Sequence, residues 1–142
     1  MTIIDDLKKH EGHIGKGKKH DLERLHKHLS IVLTILGSGR HRVAYIDPKN
    51  PGMVLKVPKS FRHFKDSISE VWQYQRQQAK GPGGHRRLAK CELATIWGVP
   101  CVLMERVSYV KPDDKLPDWA VLIDQREVGY DKDGNLVAFD YA

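Results

Sequence analysis

Hydrophobic positions along this chain change their period several times. Leu22, Leu25 and Leu29 recur at helical spacing, and Asp21 falls in the first turn, where the helix dipole favours an acid. From Ser30 the run Ser30-Ile31-Val32-Leu33-Thr34-Ile35-Leu36 is apolar and β-branched, which predicts a strand. After Gly37-Ser38-Gly39, residues 42–47 predict a second strand. Residues 48–52, rich in Pro, Asn and Gly, read as a turn. Residues 53–58 predict a third strand, ended by Pro58.

Residues 59–80 then take a helical period. Phe61, Phe64, Ile68, Val71 and Trp72 share one face at about 100° per residue. Gly81-Pro82-Gly83-Gly84 stops that helix. Residues 88–96 and 100–107 predict a hairpin around Trp97-Gly98-Val99. Residues 108–118 contain two prolines and read as a loop, and residues 119–125 fit either a helical turn or a strand. A last hairpin turns at Asp131-Lys132-Asp133-Gly134. Together these predict an α+β fold: a mainly antiparallel five-stranded sheet with one long helix, plus a C-terminal β-hairpin. Residues 1–29 separate as a basic, His-rich N-terminal segment with short helices, and residues 30–142 form the domain.

The chain has 142 residues, enough for one modest core. With 24 Lys+Arg against 18 Asp+Glu it is net +6, which favours acidic partners without choosing among them. Cys91 and Cys101 are the two cysteines, too few for a disulfide framework or a cysteine-built zinc site, so a reducing, cytoplasmic location is expected. No apolar run has the length of a membrane span, and the first ten residues lack the apolar core of a signal peptide. Both cysteines fall in expected strands, where buried, inert thiols are the rule.

Several residues carry candidate chemistry. Gly37 and Gly39 fit either close backbone approach to phosphate or a tight turn needing positive φ. Lys56 alternates with Leu55 and Val57, so it points away from both, toward solvent or toward a cleft. His10, His13, His20, His26 and His28 lack the partners of a metal site and read as solvated. Lys16, Lys18, Lys19, Arg40, Arg42, Arg86, Arg87 and Lys90 could make a basic surface for nucleic acid, but without a recognition helix or a stacking aromatic set.

In order, Gly37-Ser38-Gly39, the strand Val54-Leu55-Lys56-Val57, a helix with Glu70, Leu103-Met104-Glu105-Arg106-Val107 and a terminal hairpin with Asp140 resemble the protein-kinase small lobe. The ending is similar to those of small phage and bacterial kinase-like proteins. The resemblance covers about residues 30–142. It implies a glycine loop at Gly37, Ser38 and Gly39, with Arg42 where the family has a third glycine. Lys56 would meet phosphates and pair with Glu70. Met104 would be the gatekeeper, and the backbone from Glu105 to Val107 would meet adenine. Asp140 would bind metal, so ATP and Mg²⁺ are the implied ligands.

The departures lie in the catalytic segment. The family's catalytic Asp and metal-holding Asn fall near Leu122 and Glu127. Glu127 keeps an oxygen donor for metal. Asp124 could act as base only with the register shifted by two residues. The span between Glu105 and Asp140 is too short for the helices of a large lobe. Glu70 also falls almost opposite the apolar stripe of its helix. The expectation is therefore a truncated, pseudokinase-type protein that binds a partner protein, for example a phage regulator of a host protein, with nucleotide in the cleft as an open question. The alternatives are a minimal ATP- and Mg²⁺-dependent phosphotransferase and a basic nucleic-acid-binding module.

Overall fold

The computed structural model describes residues 19–79, 88–109 and 128–139. Its first element is helix α1, Lys19–Val32. Leu22, Leu25 and Leu29 are buried, as their spacing predicts. The helix runs through Ser30, Ile31 and Val32, and the strand expected there begins only at Thr34. Packing overrides β propensity: Leu29 and Leu33 are both buried, and they share a face only if the chain between them stays helical. Leu33 N–H donates to Leu29 C=O at 2.8 Å. Leu25 and Leu29 lose all exposure, worth about 1.5–3 kcal/mol each.

Histidine adds a second anchor for α1. His26 Nε2 lies 2.8 Å from the Pro58 carbonyl oxygen, which only accepts, so Nε2 carries the proton. His26 Nδ1 then accepts from the Tyr45 hydroxyl at 2.6 Å. The His28 ring packs on Trp97 with centroids 5.6 Å apart. Both histidines face the protein, which corrects their reading as solvated. His10, His13 and the side chain of His20 lie outside the described residues.

Five strands follow: β1 Thr34–Ser38, β2 Arg42–Asp47, β3 Asn50–Pro58, β4 Cys91–Ile96 and β5 Val99–Glu105. They form one antiparallel sheet in the order β1-β2-β3-β5-β4. The turn expected at 48–52 is shorter than its composition suggests, because Asp47 Oδ1 accepts the Lys49 N–H at 2.9 Å and β3 starts at Asn50. Between β4 and β5 the turn residues Trp97 and Gly98 have φ of 53° and 75°. That is the left-handed pair that matches strand twist in a two-residue hairpin.

Between β3 and β4, a 3₁₀ turn at Phe61–His63 leads into helix α2, Phe64–Ala79. The expected long helix thus begins in α form five residues late. Strand alternation splits the core. Leu55 and Val57 join Leu22, Leu25 and Leu29 of α1 on one side of the sheet. Val102 and Met104, opposite Lys56 and Val54, join Val71 of α2 on the other.

A second sheet holds β6 Ser108–Tyr109, β7 Val128–Tyr130 and β8 Leu136–Ala138 in that order. The expected loop at 108–118 therefore starts as a strand. The final hairpin forms where predicted. A Cβ on Gly129 would stand 2.5 Å from the Ser108 carbonyl oxygen, so β6 and β7 approach closer than any side chain allows. Among the described residues, no helix is long and apolar enough to cross a membrane.

Candidate functional site

Register places the site residues on one sheet face. Ala44 stands opposite Lys56, Lys56 opposite Val102, and Val54 opposite Met104. Side chains on this face enter a cleft of about 530 Å³, a volume suited to a small ligand. Leu36 and Gly37 line it from β1, Ala44 from β2, Val54 and Lys56 from β3, and Met104 with Glu105 from β5. Arg106, Val107 and Ser108 continue the wall, and Tyr130, Asp131 and Phe139 line it from the hairpin. The lining is mostly apolar, with Lys56 as an inward cation.

Lys56 is held from behind. Its Nζ donates to Glu70 Oε1 at 2.8 Å and also to the Phe139 carbonyl oxygen. Glu70 is fully buried, and its Oε2 accepts from Arg42 Nη2 at 2.5 Å. Arg42 precedes Ala44 by two residues on β2, so it shares the Lys56 face. A buried carboxylate is costly unless paired, and here it meets two cations. The trio of Arg42, Lys56 and Glu70 carries a net charge of +1 beside the cleft.

This pairing turns α2 away from its apolar stripe. Ser67, Glu70 and Val71 are buried, while Phe61, Ile68 and Trp72 are each more than half exposed. Three of the five stripe residues are thus outward, while Phe64 is half-buried against the first core cluster and Val71 reaches the cluster with Val102 and Met104. The reason is ionic: two cations on the sheet face hold Glu70, and the small Ser67 lets the helix sit close. Hydrophobic periodicity weighs neither effect.

Arg42 is the residue that sequence reasoning misplaced. It is expected on a basic surface, yet it is nearly buried on Glu70. Its signal was available in strand parity with Lys56. Of the other basic positions, Arg40 and Lys90 are exposed, whereas Lys16, Lys18, Arg86 and Arg87 lie outside the described residues.

Of the two readings of Gly37 and Gly39, the positive-φ turn is not found. Among the described residues, positive φ occurs at Trp97, Gly98 and Gly134, and not at Gly37 or Gly39, so neither is required by a left-handed turn. A Cβ on Gly37 would meet nothing within 4 Å, and this backbone lines the cleft bare. A bulge at Leu36 shifts the register just before it. Gly39 N–H donates to Arg42 C=O at 2.9 Å, closing the loop. Ser38 ends β1 and Gly39 opens the loop, and neither lines the cleft.

Met104 is buried between Val54 and Cys91, its register partners. Glu105 is tied twice to Lys90: its N–H donates to the Lys90 carbonyl at 2.9 Å, and its Oε1 accepts the Lys90 N–H at 2.9 Å. Arg106 N–H donates to Gly52 C=O at 2.9 Å. These bonds fix residues 105–107 as one rim. The structure thus brings Gly37, Lys56, Met104, Glu105 and Val107 to one cleft, with Glu70 behind Lys56. Asp124, Glu127 and Asp140 lie outside the described residues. Burial pushes the Cys101 thiol far above its ordinary range, as expected for an inert cysteine, whereas Cys91 is only partly buried.

No protein-family model matches the chain, and no curated protein matches it at a significant level. Among solved structures, the ternary complex of APH(2")-IIa with streptomycin and ATP is similar at 16% identity and a TM-score of 0.35. The match covers 73% of this chain and 33% of that one, so this chain spans about a third of its length.

Proposed function

We propose that this chain is a kinase-like small lobe whose cleft binds a purine nucleotide. The observation that carries the reading is the Lys56–Glu70 pair at the back of the cleft. A strand lysine held by a helix glutamate is the kinase device for presenting an ammonium to phosphates. The net positive trio favours a polyanion at that end. The apolar walls at Ala44, Val54 and Met104 suit a flat base, with its edge against residues 105–107.

Calorimetry with ATP, with and without Mg²⁺, tests this on wild type and Lys56→Met. Wild type binds, and the variant binds at least about tenfold more weakly, a loss of about 1.4 kcal/mol or more. Wild-type protein that gives no heat with ATP, ADP or GTP refutes the reading. Phosphotransfer is the further step: Mg²⁺-dependent transfer that vanishes in Asp140→Asn would make the chain an enzyme, and its absence in wild type leaves a nucleotide-binding pseudokinase.

A second reading, binding of a partner protein, is favoured by outward Ile68 and Trp72 of α2 and Phe61 of the 3₁₀ turn before it. A photo-crosslinker placed at position 72 in cells should give one discrete adduct, lost in Ile68→Asp. Absence of any adduct counts against it.

A further inference from the structure

Away from the cleft lining, three metal-ligating side chains converge. His41 lies in the loop between β1 and β2, His63 ends the 3₁₀ turn, and Asp66 stands in the first turn of α2. His41 Nδ1 and His63 Nδ1 each lie 3.2 Å from the same oxygen, Asp66 Oδ2. The two imidazoles are stacked, with centroids 4.1 Å apart and planes 13° from parallel. All three ligand atoms fall within 4.8 Å of one another.

The two nitrogen–oxygen spacings match a coordination sphere, but nearly parallel stacked rings do not both aim Nδ1 at one point, so the half-exposed His41 ring turns out of the stack when an ion binds. Bonds of about 2.0–2.1 Å to nitrogen and oxygen in a tetrahedron give ligand–ligand edges of about 3.3 Å. The two nitrogen–oxygen edges here are 3.2 Å. Two imidazoles and one carboxylate form a borderline N₂O donor set, which suits Zn²⁺ and its neighbours rather than Mg²⁺ or Ca²⁺. Half of the His41 side chain is exposed, so an ion can enter from solvent and keep a water as fourth ligand.

We propose that His41, His63 and Asp66 form a binding site for a divalent transition-metal ion of the zinc type, which fastens the β1–β2 loop to α2. Two consecutive residues, His41 of the loop and Arg42 at the start of β2, reach this helix. Arg42 meets Glu70 inside, and His41 meets Asp66 one turn nearer the helix start. A bound ion replaces the outer contact with two coordinate bonds and ties His63 to it. None of the three residues lines the cleft, so the site stands or falls independently of nucleotide binding.

The test is a zinc titration by calorimetry, with Co²⁺ absorption as a second readout, on the full chain and on His41→Ala and Asp66→Asn. The N-terminal histidines add background binding, so the difference between wild type and variants is decisive. Wild type is expected to bind one more equivalent of Zn²⁺ than either variant and to give the visible absorption of tetrahedral Co²⁺, which both variants lose. Equal stoichiometry and affinity in all three proteins overturns the proposal. So does loss in one variant with full retention in the other. Folding is not at issue for His41→Ala, because that side chain is half exposed in a loop, and circular dichroism of the metal-free proteins checks it.

Discussion

Lys56 and Glu70 are joined at 2.8 Å across the interface of strand and helix, although Glu70 lies opposite the apolar stripe of its own helix. The pair, with Arg42 on the second carboxylate oxygen, decides which side of α2 meets the sheet. Glu70→Ala leaves two cations facing each other without their anion. The expected loss is about 3–5 kcal/mol in denaturant unfolding, the cost of breaking a buried pair from one side. A change below about 1 kcal/mol would show that apolar contacts, chiefly Val71, hold the helix by themselves.

Ser67 sits one turn before Glu70, fully buried, and its hydroxyl has no partner among the described residues. An unsatisfied buried hydroxyl costs about 1–3 kcal/mol. Ser67→Ala removes it while keeping the small volume that the close approach needs. The variant is expected to be more stable by about 1 kcal/mol, read as a raised denaturation midpoint. Ser67→Leu, by contrast, should push α2 outward and weaken the Lys56–Glu70 bond. A less stable Ser67→Ala protein would mean that the hydroxyl has a partner after all.

Most of the fold was legible in the sequence, and the site was legible in part. The apolar runs at 42–47 and 53–58 became β2 and most of β3, and Leu22, Leu25 and Leu29 predicted the buried face of α1. Ser30 to Val32 misled because β-branched residues say little about a segment whose burial is set by Leu29 and Leu33 on a continuing helix. Lys56, Met104 and residues 105–107 could be placed because local order along the chain carries over into strand register. Glu70 could not be oriented from its own helix, since its partners Arg42 and Lys56 lie on other elements. The stacked His41 and His63 were invisible for the same reason: the loop and the helix start meet only after folding.

The two cysteines should separate cleanly by reactivity. Burial raises the Cys101 thiol far above the range where thiolate forms, whereas Cys91 is partly exposed at the start of β4. A thiol reagent in mild buffer should modify one cysteine per chain, identified as Cys91 by mass spectrometry. Cys101 should react only after denaturant is added. Modification of Cys101 in the native protein at a comparable rate would reveal frequent opening of β4 from β5.

Asp131 organises the terminal hairpin. Its Oδ1 accepts the N–H groups of Asp133 at 2.9 Å and Asn135 at 2.8 Å. Desolvation pushes its pKa upward, but these hydrogen bonds and the charge of Lys90 outweigh that and hold it below the usual 3.8. A depressed carboxylate stabilises the fold above its unfolded pKa, and that contribution is lost as pH falls through the folded value. Hydrogen exchange at Asp133 and Asn135 should therefore speed up, relative to the intrinsic rate, below about pH 4. In Asp131→Ala the acceleration should already be present at neutral pH and should show no such pH step.

Strand β1 has consequences for handling the protein. It is one of the two outer strands of the five-stranded sheet, all five of its residues are exposed, and Ile35 and Leu36 are among them. It carries neither proline nor lysine, the usual guards of a sheet margin. The bulge at Leu36 is the one irregularity that interrupts it. Self-association of this chain should therefore start at Thr34–Ser38 and grow with concentration, so a lysine at position 35 is the change that would keep concentrated samples monodisperse.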